Sequence, residues 1–454
     1  MGSLRKSDIR FSPTALGHVL FDRLHLAAHA PLKIAYSGGL DSHALLHALV
    51  VLRDTHALPL SAVHVDHGLS PQSAAWSRHC AAVCAALHVP LALETVQVNS
   101  DRGEGREAAA RRARYAALAR HVGPGDVLLT AHHQDDQAET LLLQLLRGAG
   151  VQGLAGMLAV TDFSAGRHLR PLLDVSRAAL RDYAQSAGLH WIEDPSNRDV
   201  GYRRNLLRHE VLPLLTQQWP QVTASLARAA QHAGDAAELL NELAAADLCN
   251  CYCQDSTTVL SVSAVLRLTP ARQRNVLRYW LRTRGFLAPT TQHLTALVSQ
   301  LADTPRSGHA RYTWPGTELR RYRDQLQVMT PLTSPAPDLD VSWDLQQPLA
   351  MPQLGGRLQA VAVQGQGISR ARLAHTTVRV RTRRGGEVCQ LPGRAHHHKL
   401  KKLLQDEGVA PWQRERLPLI YADDQLVAVA NLWVCVPYAA TTGEAGWLIH
   451  WQTP

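Results

Sequence analysis

Cysteine is scarce and unordered in this 454-residue chain: there are seven, an odd number, and no Cys-x-x-Cys pair. That spacing excludes a disulfide framework and the common zinc-finger patterns, and it points to a reducing compartment. Cys249, Cys251 and Cys253 alternate, and a period of two predicts buried thiols on one strand face. No apolar run approaches the ~18 residues of a membrane span. Arg5, Lys6, Asp8 and Arg10 precede any apolar stretch, so no export signal is read there. A soluble, cytoplasmic protein without a membrane partner is expected. No Gly-x-x-x-x-Gly-Lys-Ser/Thr is present, which excludes the common loop of enzymes that cleave the γ-phosphate. The lack of His-Glu-x-x-His removes the usual zinc hydrolase helix. Lysine is rare too, and the net charge of +9 comes almost wholly from arginine. Arginine suits bidentate phosphate contacts, although genomic base composition produces the same bias. With 46% hydrophobic and 19% charged residues the chain is globular. Its length predicts two to four domains.

From Leu32 to about Arg147 short apolar runs alternate with segments of helical period. The strands are expected at Leu32–Tyr36, Leu60–Val65, Leu91–Val98 and Asp126–Ala131, which implies a parallel sheet covered by helices. Ser37-Gly38-Gly39-Leu40-Asp41-Ser42 joins the first strand to a helix. Two glycines let the backbone approach an anion, and the first-turn N–H groups point at it with the helix dipole behind them. A carboxylate beside polyphosphate is repulsive unless a divalent cation intervenes, so Asp41 implies a magnesium nucleotide. A plain glycine turn capped by Ser37, Asp41 or Ser42 is the simpler alternative. Asp66-His67-Gly68 follows the second strand and His132-His133 the last. All three loops therefore fall on the carboxyl edge, where ligands of such sheets bind.

Three further stretches carry polar chemistry. His132 through Thr140 leads into a helix on which Asp136 and Glu139 share a face, as do His132 and Asp136. Acids in a first turn also serve the helix dipole. Glu107 to Tyr115 is helix-forming, with Arg111 and Arg114 on one face, a pattern that a solvated salt-bridged helix also shows. Glu193-Asp194-Pro195-Ser196-Asn197 with Tyr202, Arg203, Arg204, Asn205 and Arg208 reads as a polar loop entering a helix.

The Ser-Gly-Gly-x-Asp-Ser loop resembles that of the N-type ATP pyrophosphatases, which cleave ATP between its α- and β-phosphates. Val-Asp-His-Gly-Leu, Glu-Ala-Ala-Ala-Arg, Ala-His-His-x-Asp-Asp-Gln-Ala-Glu-Thr, Arg170-Pro171-Leu172-Leu173 and Glu-Asp-x-Ser-Asn follow it in order. Together they resemble the tRNA(Ile)-lysidine synthetase family. Gly393 to Leu403 and Pro411 to Pro418 are similar to the terminal domain of its longer members. Between Arg372 and Arg416 stand eleven Lys/Arg against four acids, with Trp412 at hand for RNA. One departure is Ser70, where the family often has Arg; Arg78 is a candidate replacement.

The resemblance implies a Rossmann-like ATP pyrophosphatase domain at 1–215, a helical middle tRNA-binding domain at 216–330, linker and strands at 331–370, and a small α+β tRNA-binding domain at 371–454. It implies adenylation of the wobble cytidine in the CAU anticodon of a minor isoleucine tRNA, then attack by free L-lysine. Ser37, Gly38, Gly39, Leu40, Asp41 and Ser42 would hold pyrophosphate, with Asp41 on Mg2+, and backbone near His64 and Val65 would hold the adenine of ATP. Asp136 and Glu139 would receive the lysine amine, His132 would assist proton transfer or contact phosphate, and Arg111 and Arg203 would meet the α-phosphate or the lysine carboxylate. The oligomeric state stays open, a homodimer included. A tRNA thiolation enzyme is the nearest rival; it needs a cysteine pair near the active edge, and Cys80 and Cys84 are helix-spaced within a segment that need not face the site. An RNA-binding protein with a relict nucleotide loop is the other.

Overall fold

The computed structural model describes residues 10–68, 70–98, 105–254, 256–305, 309–332 and 338–452. Arg5, Lys6, Asp8, Leu69 of the second motif and positions 333–337 lie outside them. The chain forms two compact units, 1–242 and 243–454. Among the described residues no helix is long and apolar enough to cross a membrane.

In the first unit strands and helices alternate: β1 (Leu32–Ala35), α1 (Leu40–His56), β2 (Leu60–Asp66), α2 (Ser73–Ala86), β3 (Leu91–Thr95), α3 (Arg106–Ala119), β4 (Val127–Leu129) and α4 (Gln134–Leu146). Successive strand side chains serve opposite faces. Leu32, Ile34, Val127 and Leu129 join Leu45, Leu49, Cys80 and Cys84 in the main core. Val63 and Leu128 pack on the other face against Leu118 and Val122. Burial on both faces is why β4, Val127-Leu128-Leu129, reads as an unbroken apolar run rather than an alternating one.

Strand alternation was expected to stop near Arg147, yet two more strands follow, β5 (Val160–Phe163) and β6 (Gly166–Leu169). They form a polar hairpin turning through Ser164 at φ 52°. Thr161, Asp162, Arg167 and His168 gave it no apolar run to detect. β6 lies parallel to β4, and the sheet order is β3-β2-β1-β4-β6-β5. The chain moves outward from β1 to β3 and then returns to the other side of β1 as β4. At that reversal the loops after β1 and β4 part and open a crevice. Then come α5 (Arg177–Ser186), a single helical turn at Arg203–Leu206 and α6 (Leu212–Gln218), before the long α7 (Val222–Cys251). Cys249 and Cys251 are in the last turn of α7, not a strand, because the alanine-rich helical run extends through them, and of the three expected buried thiols Cys249 is exposed, Cys253 half-buried and only Cys251 buried.

The second unit holds α8 (Pro270–Thr283) and α9 (Thr291–Asp303), packed through Trp280, Leu277 and Leu294. Helix was expected to continue to about Met329. Instead β7 (His309–Trp314), β8 (Thr317–Tyr322) and β9 (Gln325–Met329) make a meander. Pro315-Gly316 and Arg323-Asp324 mark its turns, and the arginines obscure the period of two. Of the linker and strands expected at 331–370, the described part holds strands. β10 (Gly356–Gln364) pairs along its whole length with the last strand, Ala445–Gln452. Its glycines answer close approach rather than flexibility: a Cβ on Gly367 would stand 2.4 Å from the Trp447 carbonyl oxygen. Trp412 is buried edge-on to Tyr322, with Arg320 over its ring, so it is not free to stack on RNA.

Candidate active site

The β1–α1 turn is shaped from behind. Gly38 sits at φ 79°, and a Cβ there would lie 2.7 Å from Ile192 Cδ1 and 2.8 Å from Cys80 Sγ. Gly38→Ala is expected to destabilise the first unit by about 1–3 kcal/mol through overpacking and about 1–2 kcal/mol through the left-handed backbone. Urea unfolding with tryptophan fluorescence would measure it, and a change below half a unit on that scale would mean the turn repacks freely.

Ser42 turns its hydroxyl back into the loop, accepting from the Ser37 N–H at 3.2 Å and donating to the Gly39 carbonyl at 3.1 Å. No side chain caps α1, and its first internal bond is His43 N–H to Gly39 oxygen, 3.0 Å. The N–H groups of Leu40, Asp41 and Ser42 thus precede the helix ladder, at the positive end of a 17-residue dipole. Such a helix start can receive an anion at the crevice between β1 and β4.

Across the crevice His133, not His132, is the N-cap of α4, and its N–H donates to Asp136 Oδ2 at 3.1 Å. The buried imidazole stands among three carboxylates: Asp136 at 3.4 Å, Asp41 at 3.6 Å and Asp135 at 3.6 Å. Burial alone would lower its pKa, but Asp136, Asp135 and Asp41 outweigh that and push it up to about 10. His133 is therefore an imidazolium facing the loop. Asp136 is driven upward by burial but held below the usual carboxylate range by His133, Arg204 and Arg208. Arg204 Nε donates to Glu139 Oε2 at 2.6 Å and its Nη2 to Asp136 Oδ1 at 2.8 Å. Arg208 repeats the grip, with Nε to Glu139 Oε1 at 2.7 Å and Nη2 to Asp136 Oδ1 at 3.1 Å. Glu139 is completely buried in this clamp.

Asp41 keeps one buried oxygen, Oδ1, free of hydrogen bonds, with Arg177 Nε at 3.7 Å. Among the described residues no group of three or more His, Cys, Asp and Glu suits a metal. A nucleotide-borne magnesium needs less, because one or two carboxylates plus phosphates hold it. The free Oδ1 fits that demand.

Around His132, within reach of Asp136, lies a cationic cluster of Arg111, Arg114 and Arg170. Arg111 and Arg114 sit over the Tyr115 ring at 5.0 and 5.6 Å. Thr130 Oγ1 lies 2.7 Å from His132 Nδ1 and 2.8 Å from His168 Nε2, and Arg170 Nη2 is 3.0 Å from His168 Nδ1. Burial first, then Arg170 and Arg111, push His168 down to about 3. The unfolded ring binds a proton near its ordinary 6.5 and the folded one does not, so stability is expected to fall as pH drops from 6.5 toward 3. Replacing His168 with Phe should flatten that slope by up to about 1.4 kcal/mol per pH unit. Unfolding midpoints at successive pH values test this, and an unchanged slope would refute a neutral His168.

The structure thus gathers Ser37 through Ser42, Arg111, His132, Asp136 and Glu139 around one crevice. His132 stands before α4, so its expected helical spacing to Asp136 does not exist. Arg203 is exposed, and its neighbour Arg204 takes the carboxylates with Arg208 one turn on. Their four-residue spacing was a usable signal. His133 was visible only as the second of two histidines, and Asp135, Thr130, His168 and Arg177 carried no local signal. His64 is buried, its Nδ1 bonded to the Tyr36 carbonyl at 3.0 Å. Ser70 Oγ accepts from the Gln72 N–H at 3.2 Å, and exposed Arg78 bonds Ala74 of its own helix at 3.4 Å. Cys80 and Cys84 are core thiols, pushed by burial up to about 12 and about 11.

Comparison with known proteins agrees along the chain. A PP-loop domain model matches residues 16–215, a TilS substrate-binding domain model 260–327, and a TilS substrate C-terminal domain model 378–451. A tRNA(Ile)-lysidine synthase of Alkalilimnicola ehrlichii is 45% identical over 92% of this chain and 94% of its own. One of Coxiella burnetii is 40% identical over 94% of this chain and 95% of its own. Among solved structures, a U34-tRNA thiolase of Methanococcus maripaludis covers 48% of this chain and 77% of that one, with a TM-score of 0.41 at 15% identity.

Proposed function

This chain belongs to the tRNA(Ile)-lysidine synthase family, a tRNA-modifying ligase that uses ATP, and from that premise we propose how its residues divide the reaction. The base O2 of the wobble cytidine in a CAU anticodon attacks the α-phosphorus, and pyrophosphate leaves. The ε-amine of free lysine then attacks C2, the C–O bond breaks with AMP as leaving group, and the amine loses a proton. Lysidine, AMP and pyrophosphate result.

The observation that carries this reading is the uncapped start of α1 facing the imidazolium of His133 and the free oxygen of Asp41. Pyrophosphate would settle on the N–H groups of Gly39 to Ser42, with His133 offsetting its charge. Magnesium on Asp41 would screen the phosphates and polarise the α-phosphorus. Adenine is assigned to the edge of β2 at His64 and Val65. Tyr36 N–H meets the Val63 carbonyl, so odd residues of β2 face β1, and Val65 stands beyond its end.

The arginine clamp satisfies Asp136 and Glu139, so their direct binding of the amine gives way to a supporting role. Lysine is assigned to the neighbouring cavity of about 500 Å³, whose wall includes the clamped Glu139 together with Asp135, Arg177, Arg208, Leu212 and Thr216. Its length, apolar wall and both charge signs match a lysine. Arg111 and Arg114 are assigned to tRNA or α-phosphate. Residues 216–330 and 371–454 are proposed as tRNA-binding domains, the latter through exposed Lys401, Lys402, Arg394, His396 and His397. The protonated thiols of Cys80 and Cys84 weigh against sulfur transfer.

Pyrophosphate release with ATP, magnesium and radiolabelled lysine tests the reading, comparing the isoleucine tRNA bearing CAU with the elongator methionine tRNA of the same anticodon. Lysine entering only the former is expected. Pyrophosphate without lysine transfer would indicate another nucleophile, and no pyrophosphate would leave only RNA binding.

A further inference from the structure

Arg170, His168, Thr130 and His132 form one hydrogen-bonded line: 3.0 Å from Arg170 Nη2 to His168 Nδ1, 2.8 Å from His168 Nε2 to Thr130 Oγ1, and 2.7 Å from Thr130 Oγ1 to His132 Nδ1. The directions of the first two bonds follow from the first member. A guanidinium has donors only, so His168 Nδ1 accepts. A neutral imidazole has one ring hydrogen, which must then be on Nε2 and point at Thr130. The threonine hydroxyl, already receiving from His168, has one hydrogen left to give, and the arrangement that spends it within the line gives it to His132 Nδ1. His132 in turn carries its hydrogen on Nε2. The reverse polarity would need a His168 ring without any hydrogen.

We propose that Arg170, His168 and Thr130 are positioning residues that lock His132 as a neutral Nε2–H donor, aimed at a substrate oxygen that gains negative charge during adenyl transfer. The part concerning substrate rests on the function proposed above; the lock itself does not.

Three features of the site favour a donor over a general base. A base needs a lone pair on the nitrogen facing substrate, and here that nitrogen holds the hydrogen. Protonation of the ring is opposed first by burial and then by Arg114, Arg111 and Arg170, against only Asp136 in favour. Both faces of the surroundings are therefore cationic: Arg111 and Arg114 from α3, and Arg170 after β6. Such a donor, preorganised by a buried line, costs no reorganisation when charge develops on the oxygen. The same line accounts for Arg170 at the head of the Arg-Pro-Leu-Leu motif: it is anchored by its Nη1 to the Leu158 carbonyl at 2.6 Å and sets the polarity of everything downstream.

The test uses the full chain labelled with ¹⁵N-histidine. Two-bond ¹⁵N–¹H correlation spectra separate the tautomers, and a His132→Asn variant assigns the resonance. The wild type should show the Nε2–H pattern for His132 between about pH 6 and 8, near and above the ordinary histidine value. Thr130→Val should mix the tautomers and lower kcat for lysidine formation by about 10²-fold, the order seen when one such donor is lost, with KM for ATP and lysine little changed. Thr130→Ser, which keeps the hydroxyl, should restore both spectrum and kcat. Arg170→Met cuts the line at its far end and should also mix the tautomers, which covers the case of a Thr130→Val chain that fails to fold. An Nδ1–H or doubly protonated His132 in the wild type would overturn the lock. Mixed tautomers with unchanged kcat would overturn the donor role. A wild-type chain with the expected spectrum that modifies no tRNA would overturn the proposed function and the donor role with it, while supporting the lock.

Discussion

Glu139→Ala is expected to cost the first unit about 3–5 kcal/mol, the range for removing one partner of a buried ion cluster. At roughly 2–4 °C per kcal/mol for a unit of this size, the melting temperature should fall by about 6–20 °C. The reason is the charge left behind. Glu139 is fully buried and receives Arg204 at 2.6 Å and Arg208 at 2.7 Å, so its removal leaves two guanidiniums sharing Asp136 alone. Glu139→Leu combined with Arg204→Met and Arg208→Leu should recover most of the loss in stability, since an apolar replacement of a whole buried cluster is often neutral. It should not recover activity, because the crevice then loses its cationic wall. Thermal unfolding followed by circular dichroism decides the matter. A loss below about 1 kcal/mol, the level of an exposed pair, would show that Glu139 is not structural and would return it to the role of amine ligand.

Asp41→Asn is expected to lower pyrophosphate release on the order of 10³-fold, because Lewis-acid stabilisation of phosphoryl charge supplies several kcal/mol. Folding should hardly change, since the contacts of Asp41 with His133 and Arg177 are long, 3.6 and 3.7 Å. The discriminating readout is the magnesium dependence of the rate: half-saturation should move to higher magnesium if the carboxylate helps hold the cation. Near-normal turnover with an unchanged magnesium curve would remove Asp41 from the chemistry. It would leave the N–H groups of α1 and His133 as the whole anion site.

Particular residues show where sequence reading succeeds. The turn at Ser37 to Ser42 was legible because a strand, two glycines and a helix start are consecutive, and local backbone geometry alone leaves the first N–H groups of α1 outside the helix ladder. Trp412 shows the opposite case. Its basic neighbours suggested an RNA-stacking surface, whereas Tyr322, some ninety positions earlier, covers it. The hairpin of β5 and β6 and the meander of β7 to β9 escaped notice for a related reason. Their polar residues find partners across the sheet, so no apolar period betrays them.

By itself the sequence determined the α/β alternation of the first unit, the glycine loop, the order of motifs and the family they resemble, because each depends on residues a few positions apart. Tertiary structure alone decided which charges meet. His133 rather than His132 faces Asp41, and Arg204 and Arg208 rather than Arg203 clamp Glu139. Arg170 is linked to His132 through two intervening side chains. Protonation state, tautomer and the choice between two adjacent histidines are set by burial and by partners brought from distant elements, and the physical chemistry of a residue's own neighbours in sequence contains no record of them.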